Sequence, residues 1–277
     1  MDTYCVMGHP VEHSKSPWIH ARFAELTKQK LVYGKRLIPL GGFGASLRAF
    51  MDEGGKGCNI TVPFKFEAAA LVRVMTPRAA LAQACNTLRF DRGGIHADNT
   101  DGVGLVSDIT RNAGVPLTGR DVLLIGAGGA AAGVIGPLIE AGVRHLMIAN
   151  RSMDKAGALA ARHSMLAARH HAQLQACGLQ NTQQAFDVVI NATASSLAGA
   201  GVPVAASVLK PGALAYDMMY GTAARGFMDW ATAHGAVPRD GLGMLVEQAA
   251  ESFLFWRGVR PPSAQVLGEL RATLASH

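Results

Sequence analysis

The chain has 277 residues, 49% of them hydrophobic and 17% charged, a balance that excludes a disordered chain and leaves room for two modest cores. The net charge of +6 comes from dispersed Lys and Arg in a chain with only 6% aromatics, which argues against a nucleic-acid binder and suits an anionic substrate and a phosphate-rich cofactor. No apolar run reaches the ~18–20 residues of a membrane span and the first residues do not read as a signal peptide. Cys5, Cys58, Cys85 and Cys177 are scattered without zinc or disulfide spacing, so a cytoplasmic protein is expected.

In chain order, residues 3–7 read as a strand, 17–28 as a helix with Pro17 in its first turn, and 31–38 as a second strand. A helix near 44–52 and a strand at 58–62 follow, then a hairpin-like pair at 87–90 and 94–97. Together these make one α/β unit, and a helix at 103–112 carries the chain out of it. At each strand-to-helix junction of this unit stand polar residues, where open α/β sheets place ligands. His13-Ser14-Lys15-Ser16-Pro17 offers two hydroxyls at a helix start. They can clasp a carboxylate, or Ser16 can simply cap the helix, and the residues alone leave the two even. Asn59-Ile60-Thr61-Val62-Pro63-Phe64-Lys65 turns through proline into a helix, and Asn86-Thr87 and Asp98-Asn99-Thr100-Asp101-Gly102 complete the series. Such residues suit a small polyhydroxylated ligand, though they are also common in loops.

The second unit announces itself at Asp121–Ile125, an apolar strand followed at once by Gly126-Ala127-Gly128-Gly129-Ala130 and an Ala-rich helical pattern to about Ala141. The next strand, 145–149, ends at Asn150-Arg151-Ser152. Strand, glycine turn, helix and strand make a dinucleotide-binding unit. Gly126 permits the turn, Gly128 admits the pyrophosphate, and the N–H groups of the helix start face the anion. Where an NAD-binding unit carries an acid for the ribose hydroxyl, this chain has Asn150 and Arg151, with Lys155 one turn on. A guanidinium welcomes a 2′-phosphate that a carboxylate would repel, so NADP is the expected cofactor; the competing reading is two surface cations at a helix start. A helix over 153–169, strands at 187–191 and 214–217, a helix at 224–234 and a short return strand complete the unit. The basic run from Arg162-His163 to Arg169-His170-His171 reads as a solvated helical face. No acid or cysteine joins it at metal-ligand spacing, and no metal is expected. After Asp240 two amphipathic helices follow, expected to pack back on the first unit and close a cleft between the two.

Taken in order, Gly8-His9-Pro10 with His13-Ser14-Lys15-Ser16-Pro17, the Asn59–Lys65 segment, Asn86-Thr87-Leu88 and Asn99-Thr100-Asp101-Gly102 resemble the motifs of shikimate dehydrogenases. Gly126–Ala130, Asn150-Arg151-Ser152, Asn191-Ala192-Thr193, Tyr216-Asp217-Met218-Met219-Tyr220 and the segment from Asp240 to Gln248 continue the series over essentially the whole chain. The resemblance implies a two-domain α/β fold. Residues 1–101, completed by helices within 242–277, form the substrate domain; residues 102–241 form a Rossmann-type NADP domain; the active-site cleft lies between them. It further implies NADPH-dependent reduction of 3-dehydroshikimate to shikimate by a monomer or homodimer, with a small-molecule substrate and neither nucleic acid nor membrane as partner. Residue by residue, Ser14 and Ser16 would hold the substrate carboxylate with Tyr220 nearby, and Thr61, Asn86 and Gln248 the ring hydroxyls. Lys65 and Asp101 would flank the reacting oxygen, Lys65 as an exposed cleft lysine, with either member of the pair as the ultimate proton donor. Gly126, Ala127, Gly128, Gly129 and Ala130 would hold the pyrophosphate. Asn150, Arg151, Ser152 and Lys155 would take the 2′-phosphate, and Met218 and Gly241 the nicotinamide. Two places depart from the family pattern: Ala194 stands where Ser commonly follows the Thr, and Gly221-Thr222-Ala223 lacks the usual Thr-Pro. Two other readings compete, an NAD-preferring quinate/shikimate dehydrogenase and a non-catalytic NADP sensor on the same fold. Arg151 without a preceding acid speaks against the first, and the intact Lys65 and Asp101 against the second.

Overall fold

The computed structural model describes residues 1–193 and 201–275, and the chain divides into two compact units, Met1–Gly104 with Leu245–His277, and Leu105–Met244. In the first unit the chain runs β1 (Asp2–Gly8), α1 (Ser16–Leu26), β2 (Leu31–Leu37), α2 (Phe43–Asp52), β3 (Gly57–Ile60) and α3 (Lys65–Leu71). It continues through β4 (Val74–Met75), α4 (Pro77–Ala82), β5 (Thr87–Asp91), β6 (Gly94–Asp98) and α5 (Asp101–Ser107), whose residues from Leu105 onward belong to the second unit. The six strands lie in the order β2-β1-β3-β5-β6-β4, with β1 parallel to β2 and β3, and β5 antiparallel to β3 and β6. Alternation along the strands sends Cys5, Met7, Cys58, Ile60 and Leu88 into one core, where Phe43 of α2 stacks on Phe64 at 5.3 Å.

The topology also fixes where the ligand edge falls. Parallel β1 and β3 end at the same side of the sheet, and antiparallel β5 begins there while β6 ends there: Asn59 pairs with Thr87, and Thr87 with Asp98. The four polar junctions of the sequence therefore meet on one edge.

Beyond α5 the second unit makes a single π-helical turn at Asp108–Asn112. It continues through β7 (Asp121–Ile125), α6 (Gly129–Glu140), β8 (His145–Asn150), α7 (Met153–Arg169), β9 (Gln173–Gly178), β10 (Phe186–Asn191), β11 (Leu209–Asp217), α8 (Arg225–Ala233) and β12 (Val237–Arg239). Its strands are all parallel in the order β12-β11-β10-β7-β8-β9, the doubly wound arrangement, and the order reverses between β7 and β10. Helix α6 has nine consecutive buried residues from Ala131 to Ile139, which explains why its sequence shows no polar face. Beyond it, α9 (Leu242–Arg257) and α10 (Ser263–Ala275) end the described chain, and from Leu245 onward they belong to the first unit.

Three local expectations are corrected. Val74–Met75, Pro77–Ala82 and Gln173–Gly178 form elements where none was read, and the helix read at 103–112 is an α-helix that widens into a π turn. Ser16 does not cap α1: the helix begins at Ser16, and the Ser14 hydroxyl accepts from the Ser16 backbone N–H at 3.3 Å. His163 is buried, with Nδ1 against the Leu159 carbonyl at 2.9 Å, so the run 162–171 is not one solvated face, although His170 and His171 are exposed. Among the described residues no helix is long and apolar enough to cross a membrane, and the four cysteines are all buried and free.

Candidate active site

At the ligand edge of the first unit, Lys65 is the first residue of α3, delivered there by the turn that follows β3. Its ammonium is ion-paired with Asp101, the first residue of α5, and the two side chains are 13% and 6% exposed. Asp101 is buried and Lys65 largely enclosed, not the exposed lysine expected from the sequence. Asn86 donates to the other Asp101 oxygen at 2.8 Å, and the Asp101 backbone N–H donates to Asn99 Oδ1 at 3.2 Å. Asn86 also reaches Thr100 Oγ1 at 2.9 Å and Gln248 Oε1 at 3.2 Å, while its own Oδ1 accepts from the Thr100 N–H at 2.8 Å. Lys65, Asn86, Asp101 and Gln248 are thus joined into one constellation, with each carboxylate oxygen of Asp101 occupied. Such a buried network fixes orientation, because an unmade bond in it costs roughly 1–3 kcal/mol.

Beneath it lies a layer that the sequence motifs did not single out for this purpose. Asn59 donates to the Asn86 carbonyl at 3.1 Å, to Thr87 Oγ1 at 3.0 Å and to Ser252 Oγ at 3.0 Å, and it accepts from the Tyr33 hydroxyl at 2.7 Å. Tyr33 is held well above the usual phenol range by burial, against a smaller downward pull from its hydrogen bond with Ser16. A bonded path therefore runs from Tyr33 through Asn59 to the Asn86 carbonyl. The Cys85 thiol, next to Asn86, is pushed up to about 12 by burial against the opposing charge of Lys65, and so stays a neutral packing group. Asp98, one strand position before the site loop, is gripped by the Arg78 guanidinium and by Thr76 Oγ1 at 2.6 Å. Thr61 stands on the turn between β3 and α3, half-buried, its N–H bonded to the Met7 carbonyl at 2.9 Å.

The second unit presents a different kind of edge. Gly126 closes β7 with φ +117°, a left-handed conformation that favours glycine, and a Cβ there would stand 3.2 Å from the Ala192 backbone. Gly128 precedes α6, nothing lies within 4 Å of where its Cβ would project, and no described side chain caps the helix start. That open, glycine-lined helix N-terminus at the point where strand order reverses fits a dinucleotide pyrophosphate. Arg151 and Lys155 are exposed at the start of α7, beside Asn150, whose side chain donates to the Ser152 carbonyl at 2.9 Å. The donor set fits a 2′-phosphate, and no carboxylate stands at Asn150 to repel it.

Where β10 and β11 end, Asn191 donates to Asp217 Oδ2 at 3.1 Å and accepts from Thr193, and Asp217 accepts from the Met219 N–H at 2.8 Å. Met218 follows Asp217, with Tyr220 half-buried two residues on, and the Gly241 N–H donates to the Met219 carbonyl at 2.8 Å. Met218 and Gly241 are thereby held side by side; Ala194 and Ser195, on the next segment, lie outside the described residues. Among the described residues no group of three or more His, Cys, Asp or Glu could hold a metal ion.

Comparison with known proteins adds independent findings. Residues 6–88 match the family described as the shikimate dehydrogenase substrate binding domain, residues 108–201 the shikimate / quinate 5-dehydrogenase family, and residues 241–271 the shikimate 5'-dehydrogenase C-terminal domain. The shikimate dehydrogenase (NADP(+)) of Acidovorax ebreus (strain TPSY) is 64% identical over 275 residues, covering 99% of this chain and 98% of that protein. Among solved structures, an Ael1 enzyme from Pseudomonas putida has a TM-score of 0.87 at 46% identity, covering 98% of each chain. The shikimate 5-dehydrogenase of Thermus thermophilus, solved in complex with NADP(H) and shikimate, has a TM-score of 0.82 at 29% identity, covering 98% of this chain and 99% of that chain.

Proposed function

The chain belongs to the shikimate dehydrogenase family, and from that premise we propose that it catalyses the reversible NADPH-dependent reduction of 3-dehydroshikimate to shikimate, in aromatic amino-acid biosynthesis. The observation that supports this most directly is the enclosed Lys65–Asp101 pair at the ligand edge, with Asn86 and Gln248 bonded into the same group. Shikimate is a ring with one carboxylate and three hydroxyls, and this edge offers donors and acceptors of matching kind.

Ser14 and Ser16, at the N-terminus of α1, take the carboxylate with the help of the helix dipole. Thr61, Asn86 and Gln248 bind ring hydroxyls, and Tyr220 adds a further contact to the substrate. Lys65 has three N–H donors, so with one on Asp101 it retains donors for the substrate oxygen. It stabilises the negative charge that develops there and delivers the proton, and general acid catalysis of this kind is typically worth ~10²–10⁴-fold. Asp101 aims the ammonium and holds the neighbouring hydroxyl. NADPH, when bound, supplies the hydride to the ring carbonyl carbon. Gly126 to Ala130 hold its pyrophosphate, Asn150, Arg151, Ser152 and Lys155 its 2′-phosphate, and Met218 and Gly241 its nicotinamide. The partners required are this small carboxylate substrate and NADP, the protein acting in the cytoplasm as a monomer or homodimer.

The test is absorbance at 340 nm with shikimate or quinate, each paired with NADP or NAD. Turnover with shikimate and NADP well above the other three combinations is expected. No turnover with any pair, or a preference for quinate with NAD, would overturn the reading.

A further inference from the structure

In the second unit a single carboxylate gathers three segments of chain. Asp108, on the π turn, is fully buried. Its Oδ1 accepts from Arg239 Nη2 at 2.6 Å and from Asn112 at 2.9 Å, and its Oδ2 from Arg239 Nε at 2.8 Å and from the Tyr216 hydroxyl at 2.8 Å. Tyr216 lies two residues before Met218, and Arg239 two residues before Gly241. The third segment is the start of α9: a Cβ on Gly243 would stand 1.8 Å from Asp108 Oδ1, so only glycine lets that backbone press against the carboxylate. Gly241 is placed as tightly, since a Cβ there would stand 2.3 Å from the Met218 carbonyl oxygen.

A buried ion pair is weak evidence for stability, because well-packed apolar groups of the same volume often do as well or better. What apolar groups cannot do is fix two strand ends at a set distance and direction, which a bidentate guanidinium–carboxylate pair with a third donor does. A π turn interrupting a helix is itself often found at functional positions. Burial works to push Asp108 up, but its bonds from Arg239, Asn112 and Tyr216 hold it below the usual carboxylate range, so it stays charged and bonded throughout the working pH.

We propose that Asp108 is a positioning residue for hydride transfer: through Tyr216 and Arg239 it sets the spacing of Met218 and Gly241, and so the placement of the nicotinamide ring. This rests on the reading above that Met218 and Gly241 line the nicotinamide. Asp108 touches neither cofactor nor substrate in this scheme, and its effect is confined to one half of the dinucleotide.

The adenosine half supplies the control. In Asp108→Asn, affinity for 2′,5′-ADP, which has no nicotinamide, is expected to stay within about twofold of parent. NADPH affinity, read from the fluorescence of the reduced nicotinamide, is expected to weaken by up to about tenfold. Single-turnover hydride transfer should slow by ~10–10²-fold with a larger isotope effect from 4-deuterated NADPH, the penalty for a reacting group displaced by a fraction of an ångström. Tyr216→Phe keeps the Asp108–Arg239 pair and should shift the same readouts in the same direction by less, which keeps the test open if Asp108→Asn folds poorly. Equal weakening of 2′,5′-ADP and NADPH, or no change in either NADPH binding or hydride transfer, would overturn the proposal. A parental protein that binds 2′,5′-ADP but gains nothing from the nicotinamide half would overturn instead the assignment of Met218 and Gly241 on which it rests.

Discussion

At the edge of the first sheet Asn86, Asp101 and Gln248 are each less than a tenth exposed and bonded to one another, whereas at the edge of the second Arg151 and Lys155 stand in solvent beside a turn built of glycine backbone. The difference suits what each edge is proposed to handle. Proton transfer needs a side chain aimed to within a few tenths of an ångström, and burial with full hydrogen bonding supplies that aim. A pyrophosphate is held by N–H groups that every residue carries, so the sequence need only remove side chains from its path. A 2′-phosphate is large and doubly charged, and long exposed cations suffice for it. Changes to the Lys65–Asp101 pair should therefore alter rate steeply, and changes to the exposed cations at Arg151 and Lys155 should alter affinity in moderate steps.

The largest expected effect is that of Lys65→Met. Its kcat should fall ~10²–10⁴-fold with a smaller change in shikimate KM, measured by steady-state kinetics in both directions. Because Asp101 is buried, the variant leaves its carboxylate there without an ion partner, and the melting temperature should fall as well. Loss of one member of a buried pair costs about 3–5 kcal/mol, offset here in part by the Asn86 amide, which still donates to the carboxylate. A variant that keeps more than about a tenth of parental kcat lies outside that range, and the proton would then have to come from elsewhere, Asp101 first.

Next in size, Ser14→Ala with Ser16→Ala removes two bonds to the non-reacting carboxylate. Shikimate KM should rise by ~10²–10⁴-fold while NADP affinity holds, each bond to a charged group being worth ~1.5–3 kcal/mol. Weakened NADP binding with unchanged shikimate KM would detach these hydroxyls from the substrate. Arg151→Ala probes the open edge: NADP affinity should drop roughly 10–100-fold and NAD affinity hardly at all. An unchanged preference for NADP would leave Arg151 a mere surface charge.

The gentlest effect, spread over several pH units, concerns stability alone and tests how closed the first unit is. His20 on α1 is fully buried, stacked on Tyr33 at 4.3 Å, and burial pushes its pKa down to about 3 against a slight upward pull from Asn59. The native ring therefore refuses a proton that the unfolded chain accepts near pH 6.5. Stability is full above that pH and is lost as pH falls from about 6.5 toward 3, by at most ~1.4 kcal/mol per unit. His20→Phe keeps the stack and removes this term, so the melting temperature of parent relative to variant should decline between pH 7 and pH 4. A constant difference over that interval would show that the ring is protonated within the fold.

The sequence carried the residues that end elements and little of what lies under them. Lys65, Asp101 and Gly126 are legible because each stands at a strand-to-helix junction in a motif only a few residues long. Asn59 is inside such a motif too, but its bond to Ser252 spans 193 positions, and no local pattern announces that distance. The strand Gln173–Gly178 escaped because it is an edge strand whose Gln-Leu-Gln-Ala alternation is half polar, and Val74–Met75 because two residues carry no period. Lys65 looked exposed because a lysine in a polar junction usually is; its enclosure comes from Asp101, which approaches from 36 residues away.

The return of α9 to the first sheet has a consequence for how the protein is made. Gln248, Ser252 and Trp256 all lie on that helix, and Trp256 donates to the Leu88 carbonyl of β5 at 2.9 Å while stacking on Tyr4 of β1 at 4.6 Å. On the ribosome, residues 1–104 emerge first but wait through the synthesis of some 140 further residues, from Leu105 to Met244, before α9 and then α10 join them. Until then Asn59 and Asn86 lack Ser252 and Gln248, and the sheet lacks the indole that covers it. A nascent or prematurely terminated chain that stops short of α9 therefore lacks the Ser252 and Gln248 side chains that complete the bonded edge around Asn59 and Asn86.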